Sequence, residues 1–229
     1  MLKKDKIKHN LEIMFQSIRN AEIKYHRATQ AVALLVVSKK QPIEKIRDAF
    51  LAGQTAFGES YVQEAIAKQK ALHDLSIEWH FIGTIQSNKT KLIAHHFDWV
   101  HSVNRYAIAE QLNTHRPSNL SRLNICIEVN IDQDETKFGV NPNDVLSLAT
   151  KITSLKNLAL RGLMVIPRMN NSEAAFEKTA ALQKELMQAG LAIDTLSMGM
   201  SADFDAAIKS GSTIVRIGTA IFGERKQDE

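Results

Sequence analysis

Residues 31–37 form an unbroken apolar run, AVALLVV, and the hydrophobic pattern of the whole chain follows from it. Such a run predicts a strand buried on both faces, as in a parallel sheet. Before it, Ile7, Leu11, Met14, Ile18 and Ala21 recur every three or four residues, the period of one helix face, over 5–25. After it, Pro42 suits the first turn of a helix running to about residue 52, and Gly53 stands just past its end. Further strands are predicted at 55–57, 77–82, 97–101, 123–130, 158–166, 193–198 and 213–217. Helices fall between them. Ser60, with Gln63 at the reciprocal position, is the expected cap of a helix to Leu72, Ser87 of one to His95 and Asn104 of one to Thr114. Asn141-Pro142 opens a helix to Thr153, and further helices are expected at 172–188 and 202–209. Gly218-Thr219 opens a last helical turn.

The alternation of strand and helix runs to an eighth strand with no linker or low-complexity break. It predicts an α/β fold: a single (β/α)8 TIM barrel spanning residues 1–229, with an extra N-terminal helix. A doubly wound open sheet is the alternative. No GxGxxG follows the first strand, which counts against a nucleotide-binding version of it.

Composition narrows the function. The longest apolar run is far short of a membrane span, and no hydrophobic segment follows the lysine-rich start, so a soluble, cytoplasmic protein is expected. The single cysteine, Cys126, excludes an internal disulfide and a cysteine-based zinc site, and its apolar surroundings predict a small core residue. Net charge is +4, but the lysines are spread over many helices and form no basic stripe interleaved with aromatics. Nucleic-acid binding is therefore not expected. A phosphorylated small molecule also suits positive charge.

In a barrel the carboxyl ends of all strands converge on one face. There the chain offers Lys39, Gly58-Glu59-Ser60, His80, Ser102, Asn130, Met164, Ser201, and Arg216 with Gly218-Thr219. Lys39 ends the first strand, with Lys40 beside it. A lysine held by packing and facing a cavity suits a Schiff base, and a like charge next door depresses its pKa. The plainer reading is two solvated lysines closing a strand. The loops after strands seven and eight carry Ser197-Met198-Gly199-Met200-Ser201 and Arg216-Ile217-Gly218-Thr219-Ala220. Barrels often hold phosphate there, with glycines letting the backbone approach the anion, while Ser201 and Thr219 supply hydroxyls and helix caps. Glycine turns without a ligand would look the same. Lys39 and a phosphate cradle at one mouth suggest a phosphorylated aldehyde, of which pyridoxal 5'-phosphate (PLP) is the commonest cofactor. Arg216, aimed inward, could donate to the pyridine nitrogen and keep it unprotonated, a poor electron sink. Paired with a carboxylate at the rim, it would be structural.

These stretches resemble the pyridoxal phosphate homeostasis proteins (the YggS/PROSC-like family), single-domain relatives of the alanine racemase N-terminal barrel. The resemblance rests on Leu35-Val36-Val37-Ser38-Lys39, Phe57-Gly58-Glu59-Ser60-Tyr61-Val62-Gln63-Glu64, Trp79-His80-Phe81-Ile82-Gly83 and Gln86-Ser87-Asn88-Lys89. It continues with Arg161-Gly162-Leu163-Met164, Leu196-Ser197-Met198-Gly199-Met200-Ser201 and the run from Val215 through Gly223. It implies a PLP Schiff base on Lys39, phosphate contacts from Ser201 and the Gly218-Thr219 amides, Arg216 near the ring nitrogen, and His80 and Met164 in the pocket wall. Ser60 stands where the family has asparagine, and serine is too short for the same contact. The resemblance also aligns Lys137 with a family lysine after the fifth strand; among Asp132, Asp134 and Glu135 it should stay protonated, which sits poorly with a cofactor-relay role.

The function implied is a carrier or buffer of PLP and related vitamin B6 forms, loading apo-enzymes without substrate turnover. The alternatives are a PLP-dependent amino-acid racemase and a barrel that binds a phosphorylated sugar. Racemisation needs a second base opposite Lys39. In the racemase family that base is a tyrosine working with an additional β-domain, for which a chain ending at Glu229 leaves no room. Of Tyr25, Tyr61 and Tyr106 only Tyr61 is near a strand end, where packing is its expected job. A monomer is expected, since the racemase dimer depends on the missing domain.

Overall fold

The computed structural model describes residues 3–134, 136–168 and 171–224. Strands β1 (Ala33–Val37), β2 (Ala56–Glu59), β3 (Glu78–Phe81), β4 (Trp99–Val103), β5 (Leu123–Glu128), β6 (Leu158–Met164), β7 (Thr195–Ser197) and β8 (Ile214–Ile217) close into a barrel in chain order. All neighbours are parallel, and β8 returns to β1 with Leu35 opposite Arg216. The closed barrel is the expected architecture; the open sheet is excluded.

The period-2 alternation of each strand sorts its side chains. Leu34, Val36, Phe57, Phe81, Val100, Ile125, Ile127, Leu163, Leu196, Val215 and Ile217 face the helices in one large core. Leu35, Trp99, Cys126, Met164 and Ile214, with Ala56 and Ile82, fill the barrel itself. A fully buried Phe or Leu in either set contributes about 1.5–3 kcal/mol.

The covering helices are α2 (Ile43–Leu51), α3 (Val62–Ala71), α4 (Thr90–His96), α5 (Tyr106–His115), α6 (Val145–Thr153), α7 (Ser172–Gln188) and α8 (Phe204–Lys209), before the single turn α9 (Thr219–Phe222). The N-terminal helix α1 (Lys3–Lys24) packs on α2, α8 and α9. Its buried stripe is the one read from the sequence: Ile7, Leu11, Met14, Ile18 and Ala21. Since α9 is too short to cover the β8–β1 seam, α1 completes the helical layer there, and Asn10 ties it to the Ile221 carbonyl at 2.8 Å.

Several expected caps differ. Val62 begins α3 with Tyr61, not Ser60, in the cap position and no side-chain bond to it. The chain turns at Ser60, where Gly83 packs directly on its backbone. Strand β4 runs two residues further than expected, so α5 starts after Arg105 rather than Asn104. Ser87 opens a 3-10 turn (Ser87–Lys89) rather than capping the helix through its side chain; its carbonyl accepts from Thr90 Oγ1 at 2.8 Å. Helix α8 starts at Phe204, and Asp203, not Ser201, precedes it. Thr219 is the first helical residue of α9, and Gly218 holds the cap position without a side chain. Asn141 caps a 3-10 turn (Pro142–Asp144), accepting from the Asn143 N–H at 3.1 Å, and α6 itself starts later than expected, at Val145. Among the described residues no helix is long and apolar enough to cross a membrane.

Candidate functional site

The inward register of β1 runs Leu35, Val37, Lys39, so Lys39 is the first polar side chain above a packed interior. It is half-buried and lines a cavity of about 730 Å³ at the carboxyl end of the barrel. Ser60, Tyr61, Gly83, Glu128, Asn130, Lys137, Phe138 and Ile166 share that lining. The turn carrying Lys39 is clamped from behind. Ser38 Oγ donates to Glu59 Oε1 at 2.6 Å, and the Lys40 N–H donates to Glu64 Oε1 at 2.6 Å. Lys68 joins the two carboxylates at 2.8 and 2.6 Å and also donates to the Ser38 carbonyl at 2.7 Å. Lys40 takes a left-handed φ of 59°, a strained conformation for a side-chain-bearing residue, and this clamp holds it.

Glu128 stands in the cavity wall at the end of β5, half-buried. Burial pushes its carboxyl up to about 7, opposed by the nearby Arg216. Ser60 Oγ, in the same wall, is buried and has no hydrogen-bond partner among the described residues. Lys137 donates to the Ile166 carbonyl at 3.2 Å and lies 3.7 Å from Asp132. Asp134 instead pairs with Arg168 at 2.8 Å, which with the Thr136 bonds holds its carboxyl well below the usual range. Glu135 lies outside the described residues.

Arg216 is buried at the next seam, β8 being bonded to β1. It donates to the Ser197 carbonyl, to Ser197 Oγ at 2.8 Å and to the Val165 carbonyl at 2.9 Å. Burial lowers its pKa to about 10, so it stays cationic at neutral pH. In the loops above it Met200, Ser201, Thr219 and Ala220 are exposed, while Gly199 is buried. Gly199 has φ 96°, and a Cβ there would meet Ala207 Cβ at 2.6 Å, so the β7 turn requires glycine. The Met200 N–H is taken by the Asp203 carboxylate at 2.6 Å. Thr219 and Ala220 open the first turn of α9, where a helix cannot bond its own amides.

Of the strand-end residues singled out in the sequence, the cavity brings together Lys39, Ser60 and Asn130, and Lys137 with them. Ser201, Gly218 and Thr219 lie at the adjoining β7 and β8 ends of the same mouth, outside that lining. His80 and Met164 differ from the expected pocket wall. Both are buried inside the barrel, His80 stacked on Trp99 with ring centroids 5.4 Å apart and Met164 within the interior apolar cluster. Tyr61 also departs from expectation: it is exposed and lines the cavity rather than packing. Cys126 is buried as expected, and burial raises its thiol to about 12.

The chain matches the family model for the alanine racemase N-terminal domain over residues 3–226. It is 51% identical over 227 residues to the pyridoxal phosphate homeostasis protein of Vibrio alginolyticus, covering 96% of this chain and 97% of the relative. The proteins of that name from Haemophilus influenzae and Escherichia coli K12 are 48% and 45% identical, again covering 96% of this chain and 96–97% of each relative. This chain belongs to the pyridoxal phosphate homeostasis protein family. A homologous solved structure, PipY of Synechococcus elongatus with PLP bound, is 36% identical, with a TM-score of 0.83 over 95% of this chain and 100% of that one. Alanine racemase of Clostridium difficile shares the barrel at 15% identity, with a TM-score of 0.77; 98% of this chain matches 58% of the racemase.

In this pyridoxal phosphate homeostasis family member, Glu128 and His101 are site-side residues that the strand-end pattern does not pick out. A lone acid two positions after Cys126 on the inward register of an apolar strand was the available signal for the first. For the second, the signal was a histidine at the end of an apolar strand; its partners come from strands distant in sequence.

Proposed function

We propose that this chain binds PLP covalently on Lys39 and serves as a cytoplasmic, monomeric carrier and buffer of the cofactor. The observation that carries this reading is one half-buried lysine lining a cavity of about 730 Å³ just past the end of β1, the strand that pairs with β8. The likeness to PLP-bound PipY supports it. The residues fit the group. Ser60 Oγ is a buried, unpartnered polar atom in the cavity wall, available to a ligand or a water. The Thr219 and Ala220 amides and the hydroxyls of Ser201 and Thr219 suit an anion on the β7–β8 side.

The bound cofactor supplies a reactive aldehyde. Lys39 would hold that aldehyde as a Schiff base, with loss of water on binding and uptake of water on release, so PLP could pass to apo-enzymes or other users of vitamin B6. Lys39 holds the cofactor, and the Glu59–Lys68–Glu64 clamp fixes its turn. Arg216 would set a permanent cation beside the ring nitrogen and leave that nitrogen without a proton. With that nitrogen unprotonated the ring withdraws electrons poorly, which favours storage over turnover.

The test is an absorption spectrum of the protein with PLP before and after borohydride, with mass mapping of the labelled lysine. A visible band and a reducible adduct on Lys39, both lost in Lys39→Ala, are expected. A colourless protein with no adduct overturns the reading. The racemase reading keeps one observation in its favour, Tyr61 lining the cavity with Lys39. D-amino acid formed from an L-isomer, dependent on both Lys39 and Tyr61, would replace the carrier reading with it.

A further inference from the structure

The barrel interior contains a continuous line of polar side chains. Glu78, half-exposed at the amino end of β3, lies 2.7 Å from His80 Nε2. His80 Nδ1 lies 2.9 Å from His101 Nε2, and His101 Nδ1 lies 2.8 Å from Ser197 Oγ. Ser197 Oγ accepts from Arg216 at 2.8 Å. His80, His101, Ser197 and Arg216 are all buried. The line therefore connects the solvent-exposed amino face of the barrel to the cation beneath its mouth.

Donor chemistry fixes every proton in it. Arg216 only donates, so Ser197 Oγ is an acceptor there and has its own proton to give. Glu78 only accepts while ionised, and its hydrogen bond to His80 holds its carboxyl below the usual range. His101 is kept neutral, first by burial and then by its His80 and Arg216 neighbours. With neutral rings, His80 must donate from Nε2 to Glu78 and accept at Nδ1. His101 must then donate from Nε2 and accept the Ser197 hydroxyl at Nδ1. All protons point from Arg216 towards Glu78. The opposite order would set a bare His80 Nε2 against a bare carboxylate, so it requires one more proton on the Glu78–His80 pair. In that order His101 Nδ1–H points at Ser197, and the chain turns its positive end towards Arg216.

We propose that Glu78, His80, His101 and Ser197 are positioning residues for Arg216: a single-file chain that orients the guanidinium and reverses its polarity when one proton enters at the Glu78 end. The link to the cofactor rests on the PLP reading above; the proton order does not. Other charges face this chain. Arg161 lies near Glu78, paired with Asp194 and stacked over Trp99 at 4.9 Å. Asp203, Glu128 and Cys126 act on Arg216.

The first test is nitrogen NMR of labelled histidine in the cofactor-free protein. At pH 8 both rings should carry their single proton on Nε2. On acidification they should change in one joint step. In Glu78→Gln, whose amide can donate or accept, the His80 and His101 tautomers should become mixed. His101 protonated on Nδ1 at pH 8, or His80 changing while His101 does not, overturns the proposal. Ser197→Ala, a second variant, should free His101 Nδ1 of its donor and move that nitrogen's signal alone. The second test uses PLP-loaded protein. Glu78→Gln should move the pH midpoint of the visible band by about half a unit or more, with the Lys39 adduct intact. An unmoved band with an intact adduct overturns the link to Arg216's end. Absence of any adduct in the unmodified protein defeats the PLP reading instead and leaves the histidine result standing on its own.

Discussion

Glu128 shows how a single side chain gives the molecule a pH dependence. Its folded-state carboxyl sits at about 7 because burial disfavours the charge, with Arg216 opposing. In the unfolded chain the proton leaves near about pH 4.3. Between those values the folded state binds more protons, so stability falls as pH rises and the loss is complete above about pH 7. Its size is about 4 kcal/mol at most. Glu128→Gln should flatten this slope, and urea unfolding at pH 5 and pH 8 measures it. Gly83 acts by contact. A Cβ there would lie 2.3 Å from the Ser60 carbonyl oxygen, a backbone atom that cannot swing aside. Gly83→Ala should cost about 1–3 kcal/mol by overpacking and shift the cavity wall at Ser60. Denaturant midpoints give the first effect; quenching of Tyr61 fluorescence gives the second.

At the scale of elements, the β1–α2 turn depends on α3. Lys68 is buried and joins Glu59, Glu64 and the Ser38 carbonyl. Removing it leaves Glu59 buried with no cation, and burial already raises that carboxyl against the pull of Lys68. Lys68→Met should cost about 3–5 kcal/mol, and adding Glu59→Gln should restore much of it. A double-mutant cycle in urea measures the coupling. Helix α1 is likewise a working part of the barrel wall. Ile18→Ala should cost about 2–5 kcal/mol, the range of a core position, and lower the single melting transition instead of producing an early one. Sequence periodicity gave the buried face of α1 residue by residue. It did not give its role, because the shortness of α9 matters only once β8 meets β1.

For the whole molecule, the proposed capture of PLP on Lys39 would link cofactor to stability, because only the folded state presents the site. Saturation at about one hundred times the dissociation constant adds about 2.7 kcal/mol. For a chain of this size that is a rise of about 5–10 °C in Tm. Scanning calorimetry should show this rise on adding PLP, and a much smaller one in Lys39→Ala. No rise in the unmodified protein would argue against a site that binds the cofactor tightly.

The sequence determined the order and type of the elements, because apolar periods of 2 and 3.6 are local properties of the chain. It also marked Lys39, Arg216 and the two glycine turns, since strand ends are legible wherever a buried run stops. Cap positions at Ser60, Asn104 and Ser201 were not legible, because strand length and close backbone contact moved the helix starts. Only the closed barrel decided which strand ends share a cavity, that His80 faces inward beneath it, and that His101 and Ser197 meet across 96 residues of chain. Those contacts follow from strand pairing and stagger, which depend on the packing of the whole ring and leave no trace in any one segment.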